Sequence, residues 1–170
     1  MYKTYTVTTA IDIGGSGRTA LLIDTVPDPL AQAGPKLILN REGESKAVVE
    51  GAGNDLEVDF SKDAYIYTHG LMNCFAVCAA WDKVGNVFSK GYLAHVSSPH
   101  PKGFCPKAIA KIPVQAFVVV GIGQGEWGAQ VAKQLVEVRT IPEANVWIYT
   151  RAQSGKVGFG INKHGEFGET

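Results

Sequence analysis

No run of about 18 apolar residues occurs in this sequence, so a membrane-spanning helix is not expected. An excess of one charge is missing as well: 16 Lys and Arg balance 16 Asp and Glu. A neutral chain has no broad field to draw it onto nucleic acid or a lipid surface, and neither is expected as a partner. No basic run and no RNA-binding aromatic signature occurs either. Cysteine is scarce: Cys74, Cys78 and Cys105 are the full complement. An odd number this small is poor material for a disulfide framework and natural in a reducing compartment. The first residues, Met1-Tyr2-Lys3-Thr4-Tyr5-Thr6, lack the apolar core of a secretory signal peptide. The expected location is the bacterial cytoplasm, or a target cell reached by a route that needs no signal peptide. There is no internal repeat and no linker long enough to divide the chain, so residues 1–170 are expected to form a single domain and a monomer. At this length a chain buries roughly 70% of its unfolded surface and needs no covalent staples.

What is present is mostly strand pattern. Thr4 to Ile13 is rich in β-branched residues and predicts a strand, with a second from Arg18 to Asp24. Gly14-Gly15-Ser16-Gly17 between them predicts a hairpin turn. Val26 to Pro35 holds Pro27, Pro29 and Pro35 and is expected to be a loop. Lys36 to Asn40 and Lys46 to Glu50 predict short strands, and Leu56 to Phe60 alternates with the period of a half-buried one. Phe75 to Trp81 and Val87 to Ser97 predict two antiparallel strands separated by the polar break at Asp82 to Asn86. In a strand, Cys74 and Cys78 have the same parity and point to one face. A short helix over Pro106 to Lys111 and a buried strand over Val114 to Ile122 follow. Trp127, Val131, Leu135 and Val138 mark a helix over Glu126 to Val138. Asn145 to Thr150 returns as a strand, and two last short strands flank Asn162 to Gly165.

Two glycine runs invite a nucleotide. Ala10-Ile11-Asp12-Ile13-Gly14-Gly15-Ser16-Gly17 resembles the first phosphate loop of sugar kinases of the actin-like fold. Those enzymes need two such domains, and this chain is about half that length, so the hairpin is preferred. Gly123-Gln124-Gly125-Glu126-Trp127-Gly128 spells G-x-G-x-x-G between an expected strand and helix, the setting of a pyrophosphate site. It comes too late to leave room for further βαβ units, and Glu126 opposes a phosphate. Close packing of strand on helix is the simpler role for these glycines.

The remaining chemistry lies in Ala64 to Cys78, where an apolar aromatic run, a short polar glycine-containing break and a cysteine follow one another. Cys74, a histidine at His95 and a hydroxyl at Thr68 are the parts of a nucleophilic site. A thiolate formed beside imidazole attacks a carboxamide carbon, backbone amides stabilise the oxyanion, imidazole protonates the departing ammonia, and a third group fixes the ring. By residue type alone, a buried structural cysteine and a satisfied core histidine are the commoner reading. His69 and His100 are expected in loops at the site entrance, and His164 in a turn. A zinc site from Cys74, Cys78, His95, His100 and Cys105 lacks any C-x₂-C spacing. No metal and no cofactor is expected.

The segment Thr68-His69-Gly70-Leu71-Met72-Asn73-Cys74-Phe75-Ala76-Val77-Cys78 resembles the nucleophile segment of the chemoreceptor glutamine deamidase (CheD) family. Shared features are a Thr six residues before the nucleophile, a Leu three before it, and Ala-Val-Cys just after it. Leu93-Ala94-His95-Val96 with Pro99 is similar to that family's histidine segment, Gln115 to Gly121 to its glycine-ended strand, and Gly125-Glu126 to its helix start. The same Cys-His core recurs in deamidase toxins such as the cytotoxic necrotising factors. The resemblance implies an α/β (α+β) fold, a β-rich sandwich of mostly antiparallel strands with one or two flanking helices. Its core spans about residues 56–168, behind a strand-rich N-terminal extension. It also implies Cys74 as nucleophile, His95 as base and acid, Thr68 as orienting group, and a protein bearing a target glutamine as substrate. The toxin or effector branch is favoured by the extension and by one departure: both branches place glycine and serine just before the nucleophile, where this chain has Met72-Asn73. Asn tolerates the left-handed backbone such a turn uses. Two other readings stay open, an inactive binding module of the same fold and another Cys-His amide hydrolase of peptidase or transglutaminase type.

Overall fold

The computed structural model describes residues 3–12, 19–23, 35–38, 45–48, 54–72, 74–96, 109–123, 127–151 and 157–169. In chain order they form β1 (Lys3–Asp12), β2 (Thr19–Ile23), β3 (Pro35–Ile38), β4 (Ser45–Val48), β5 (Asn54–Asp59), β6 (Tyr65–Leu71), β7 (Phe75–Val84), β8 (Val87–Val96), β9 (Phe117–Ile122), α1 (Trp127–Arg139), β10 (Val146–Arg151), β11 (Val157–Asn162) and β12 (Phe167–Glu169). One sheet has the order β2-β1-β10-β9-β7-β8-β5, the other β3-β12-β11-β6-β4. The fold is mixed α+β and dominated by strands, with α1 packed on β9 and β10 of the larger sheet. No helix among the described residues is long and apolar enough to cross a membrane.

Two apolar layers hold the sheets, and β7 serves both. Phe75, Val77, Ala79 and Trp81 face the α1 side, where they join Val131, Ala132 and Leu135 of the helix. Ala76, Cys78 and Ala80 face the second sheet, where they meet Leu93, Val119, Trp147, Phe159, Ile161 and Phe167. A central strand covered on both faces needs an unbroken apolar run, which is why Phe75 to Trp81 does not alternate. The helix seats Val131, Ala132 and Leu135 inward, with Val131 and Leu135 each contributing about 1.5–3 kcal/mol by burial. Val138, expected on that stripe, is 65% exposed: the helix ends one residue later and the chain turns in again at Ile141.

The N-terminal strands enter both sheets. β1 pairs antiparallel with β2, as the hairpin reading expects, and parallel with β10. The glycine turn itself, including the phosphate-loop resemblance at Gly14 to Gly17, lies outside the described residues. β3 runs parallel to β12 and β4 parallel to β6, at the two edges of the smaller sheet.

Several boundaries differ from the sequence reading. The break expected at Asp82 to Asn86 shrinks to the two residues between Val84 and Val87, with Gly85 at φ 61° supplying the hairpin geometry. The strand expected from Val114 begins at Phe117; Ala116 N–H closes a turn on the Pro113 carbonyl, and Val114 is exposed. The helix expected over Pro106 to Lys111 lies mostly outside the described residues; Ile109 is helical, and the chain then leaves through a turn closed from Ile112 N–H to the Ile109 carbonyl.

Candidate active site

β6 carries Thr68, the residue expected to orient the imidazole. Its apolar residue Ile66 faces the larger sheet, and Thr68, two positions on, faces the same way. Strict alternation would then turn Leu71 outward, yet Leu71 is fully buried in the same layer. The register between β6 and β11 shifts in this stretch, four residues from Thr68 to Leu71 standing against three from Phe159 to Val157. Gly70, at φ 78°, lies inside that bulge and takes the conformation other residues avoid. The glycine-containing break read from the sequence is therefore a bulge within the strand. His69, expected in a loop, is an exposed residue of β6 whose ring meets that of Tyr67 edge-on at 5.0 Å.

β8 carries the histidine. His95 lies directly across from Ala76 of β7, so both face the second sheet. Its Nδ1 and Thr68 Oγ1 share a hydrogen bond of 2.7 Å, with both residues fully buried. The bond links the two sheets. Phe159, the cross-strand partner of Thr68, fills the space above Gly121, which sits across β7 from His95. Small Ala76 and Gly121 beside a large Phe159 leave the hydrogen bond in an apolar setting, where it is stronger than in water. When Nδ1 carries the hydrogen and donates to Oγ1, Nε2 presents its lone pair on the opposite side of the ring.

Cys74 immediately precedes β7, is partly exposed, and packs at the margin of the inter-sheet layer. Carrying the β7–β8 register back to Cys74 places it on the His95 face, one diagonal step away. Such diagonal neighbours are about 7–8 Å apart between Cα atoms, within reach of long or aromatic side chains. Cys78 shares that face but is fully buried, and burial pushes its thiol well above the usual cysteine range. A thiol that stays protonated is a poor nucleophile. The two cysteines thus differ in exposure although they share a face. Native protein is expected to react with iodoacetamide at Cys74 and not at Cys78, as peptide mass spectrometry will show. Cys78→Ser places a hydroxyl in the core and should lower stability by about 1–3 kcal/mol in thermal melts.

The N-terminal strands flank this pair more closely than the sequence suggested. Val48 of β4 pairs with Thr68, and Asn54 of β5 pairs with His95. Neither position carried a local signal, because each depends on pairing between distant strands. Of the two residues just before Cys74, Met72 is 38% exposed and Asn73 lies outside the described residues. His100, Cys105, Gln124, Gly125 and Glu126 also lie outside them. His164 is exposed in the β11–β12 turn, as expected there. With Lys83, Asn86 and Glu166 it lines a pocket at the far end of the β7–β8 hairpin, about 30 Å from Cys74 by strand rise. Among the described residues no group of His, Cys, Asp and Glu has the arrangement of a metal site. No protein-family model matches the sequence, and no curated protein matches it.

Proposed function

We propose that the chain is a protein-glutamine deamidase of the Cys-His type, working through Cys74, His95 and Thr68. The observation that carries this reading is the buried 2.7 Å hydrogen bond from Thr68 to His95, made between the two sheets on the face that Cys74 shares. A histidine held through Nδ1 by a neutral hydroxyl, beside a partly exposed thiol, is the arrangement a thiol–imidazole pair requires.

In this mechanism Nε2 of His95 takes the Cys74 proton, and the sulfur adds to the carboxamide carbon of a glutamine side chain. The carbon–oxygen π pair moves onto oxygen as the C–S bond forms. The imidazolium returns its proton to the amide nitrogen, the C–N bond breaks, and ammonia leaves an acyl-thioester. Water, giving a proton to His95, then adds to the thioester carbon. The C–S bond breaks, glutamate is released, and the thiol is restored. The deamidase-toxin and chemoreceptor-deamidase branches both fit this chemistry; the N-terminal strands packed into both sheets favour an effector acting on another protein.

A chloroketone analogue of glutamine tests the reading directly. It should alkylate Cys74 at neutral pH far faster than free cysteine, seen as one adduct in the intact mass and located by peptide mapping. A rate equal to that of free cysteine would sink the proposal. Met72 favours a second reading, a binding module that keeps the fold without the reaction, because an exposed thioether stands where the related enzymes have a small residue. That module would leave the probe unreacted. A peptidase of the same type would cut a protein substrate, whereas deamidation adds about one dalton and cuts no chain.

A further inference from the structure

In the G-x-G-x-x-G run the first and last glycines have different neighbours. A Cβ on Gly128 would run into the side chains of Ile122 and Ile148, so this glycine lets α1 settle on the sheet. A Cβ on Gly123 would run into the Leu71 carbonyl oxygen, and would stand 2.6 Å from the Leu71 carbonyl carbon and 3.0 Å from Met72 Cα. These are main-chain atoms, so no side-chain rotation relieves the overlap. Gly123 also follows directly on Ile122, the cross-strand partner of Phe75. It therefore stands level with Cys74 while touching the backbone that leads into Cys74 from the other sheet.

Between Leu71 at the end of β6 and Phe75 at the start of β7, the chain crosses from one sheet to the other. Where it crosses sets where the thiol points. We propose that Gly123 is a positioning residue for the Cys74 thiol: its bare α-carbon seats the end of β9 on the Leu71–Met72 backbone and fixes that crossing. The proposal rests on Cys74 being the nucleophile. It gives the glycine motif a steric role at the reactive centre. A displacement of about 1 Å at a reacting atom is enough to cost on the order of a hundredfold in rate.

The test compares native chain, Gly123→Ala, Gly128→Ala, and Gly123→Ala combined with Met72→Gly, all labelled with the glutamine chloroketone. In Gly123→Ala the maximal inactivation rate should fall about ten- to a hundredfold, with the half-saturating probe concentration changed little. Gly128→Ala should lower the melting temperature and leave the maximal rate within about twofold of native. Met72→Gly, which frees the backbone opposite Gly123, should restore part of the lost rate. Equal maximal rates in native and Gly123→Ala chains overturn the positioning role while leaving Cys74 as nucleophile. So does a Gly123→Ala chain that fails to fold where Gly128→Ala folds, since the contact then supports the fold rather than the thiol. Absence of labelling in the native chain overturns the reading of Cys74 and this proposal with it.

Discussion

Cys74→Ser is expected to lower ammonia release from a glutamine substrate by about a thousandfold or more, with little change in melting temperature. The two expectations follow from different facts. Serine is close in shape to cysteine, and Cys74 is only partly buried at the margin of the core, so the fold has little to lose. The hydroxyl, however, ionises far less readily than a thiol, and a site built around one histidine and a neutral threonine offers little to correct that. His95 is harder to test cleanly. It is fully buried, and truncation to alanine leaves a cavity and removes the partner of Thr68, together costing about 3–5 kcal/mol. His95→Asn is the better variant, because an asparagine amide can occupy the Nδ1 position toward Thr68 while offering nothing in place of Nε2. Its activity should fall by about a hundredfold or more while its melting temperature stays closer to native than that of the alanine variant. Activity within a few-fold of native in Cys74→Ser, measured as ammonia released with the substrate mass rising by about one dalton, would end the deamidase reading.

The parts of the fold that were legible in the sequence are those whose signal is local. The two-faced apolar run from Phe75 to Trp81, the spacing of Val131 and Leu135, and the turn at Asn162 to Gly165 each report their own structure. The hairpin of β1 and β2 belongs with them. Cys74, His95 and Thr68 could be proposed as a set from the resemblance, while the hydrogen bond that joins Thr68 to His95 across the two sheets could not be read from it. What escaped depends on partners far away in the chain. A bulge at Gly70 cannot be told from a loop without β11 beside it, so His69 was misplaced. Asn54 and Val48 gained their positions beside His95 and Thr68 from strand order, which no short window encodes. Gly123 reads as part of a nucleotide motif because local spacing is blind to what crosses above it; only the packed fold brings the Leu71–Met72 backbone there. The N-terminal strands illustrate the same limit at larger scale: an apparent extension in sequence supplies edge strands to both sheets.

Thr68→Val carries the second large effect, and it separates orientation from mere presence of the imidazole. Valine matches threonine in shape, so the buried volume beside Phe159 is kept and only the hydroxyl is lost. His95 Nδ1 then faces a methyl group inside a layer with no exposure at either residue. Leaving a buried polar atom in that state costs about 1–3 kcal/mol. For a chain of this size that is a fall of roughly 2–10 °C in melting temperature. In the proposed mechanism His95 donates Nδ1–H to Thr68 Oγ1, which leaves the Nε2 lone pair for the thiol. If the lost energy falls on the barrier, activity drops about ten- to a hundredfold. Thr68→Ser keeps the hydroxyl and gives up one methyl group, so it should regain most of the rate while still melting below native. That crossover, a rate that follows the hydroxyl and a stability that also follows the methyl, is what an orienting role predicts. Nitrogen chemical shifts of the His95 ring should report the same change, with the Nδ1–H tautomer dominant in native and Thr68→Ser chains and depleted in Thr68→Val. A Thr68→Val chain with native turnover would leave the hydrogen bond a matter of core packing alone, and His95 would have to be oriented by something other than the residue it touches across the two sheets.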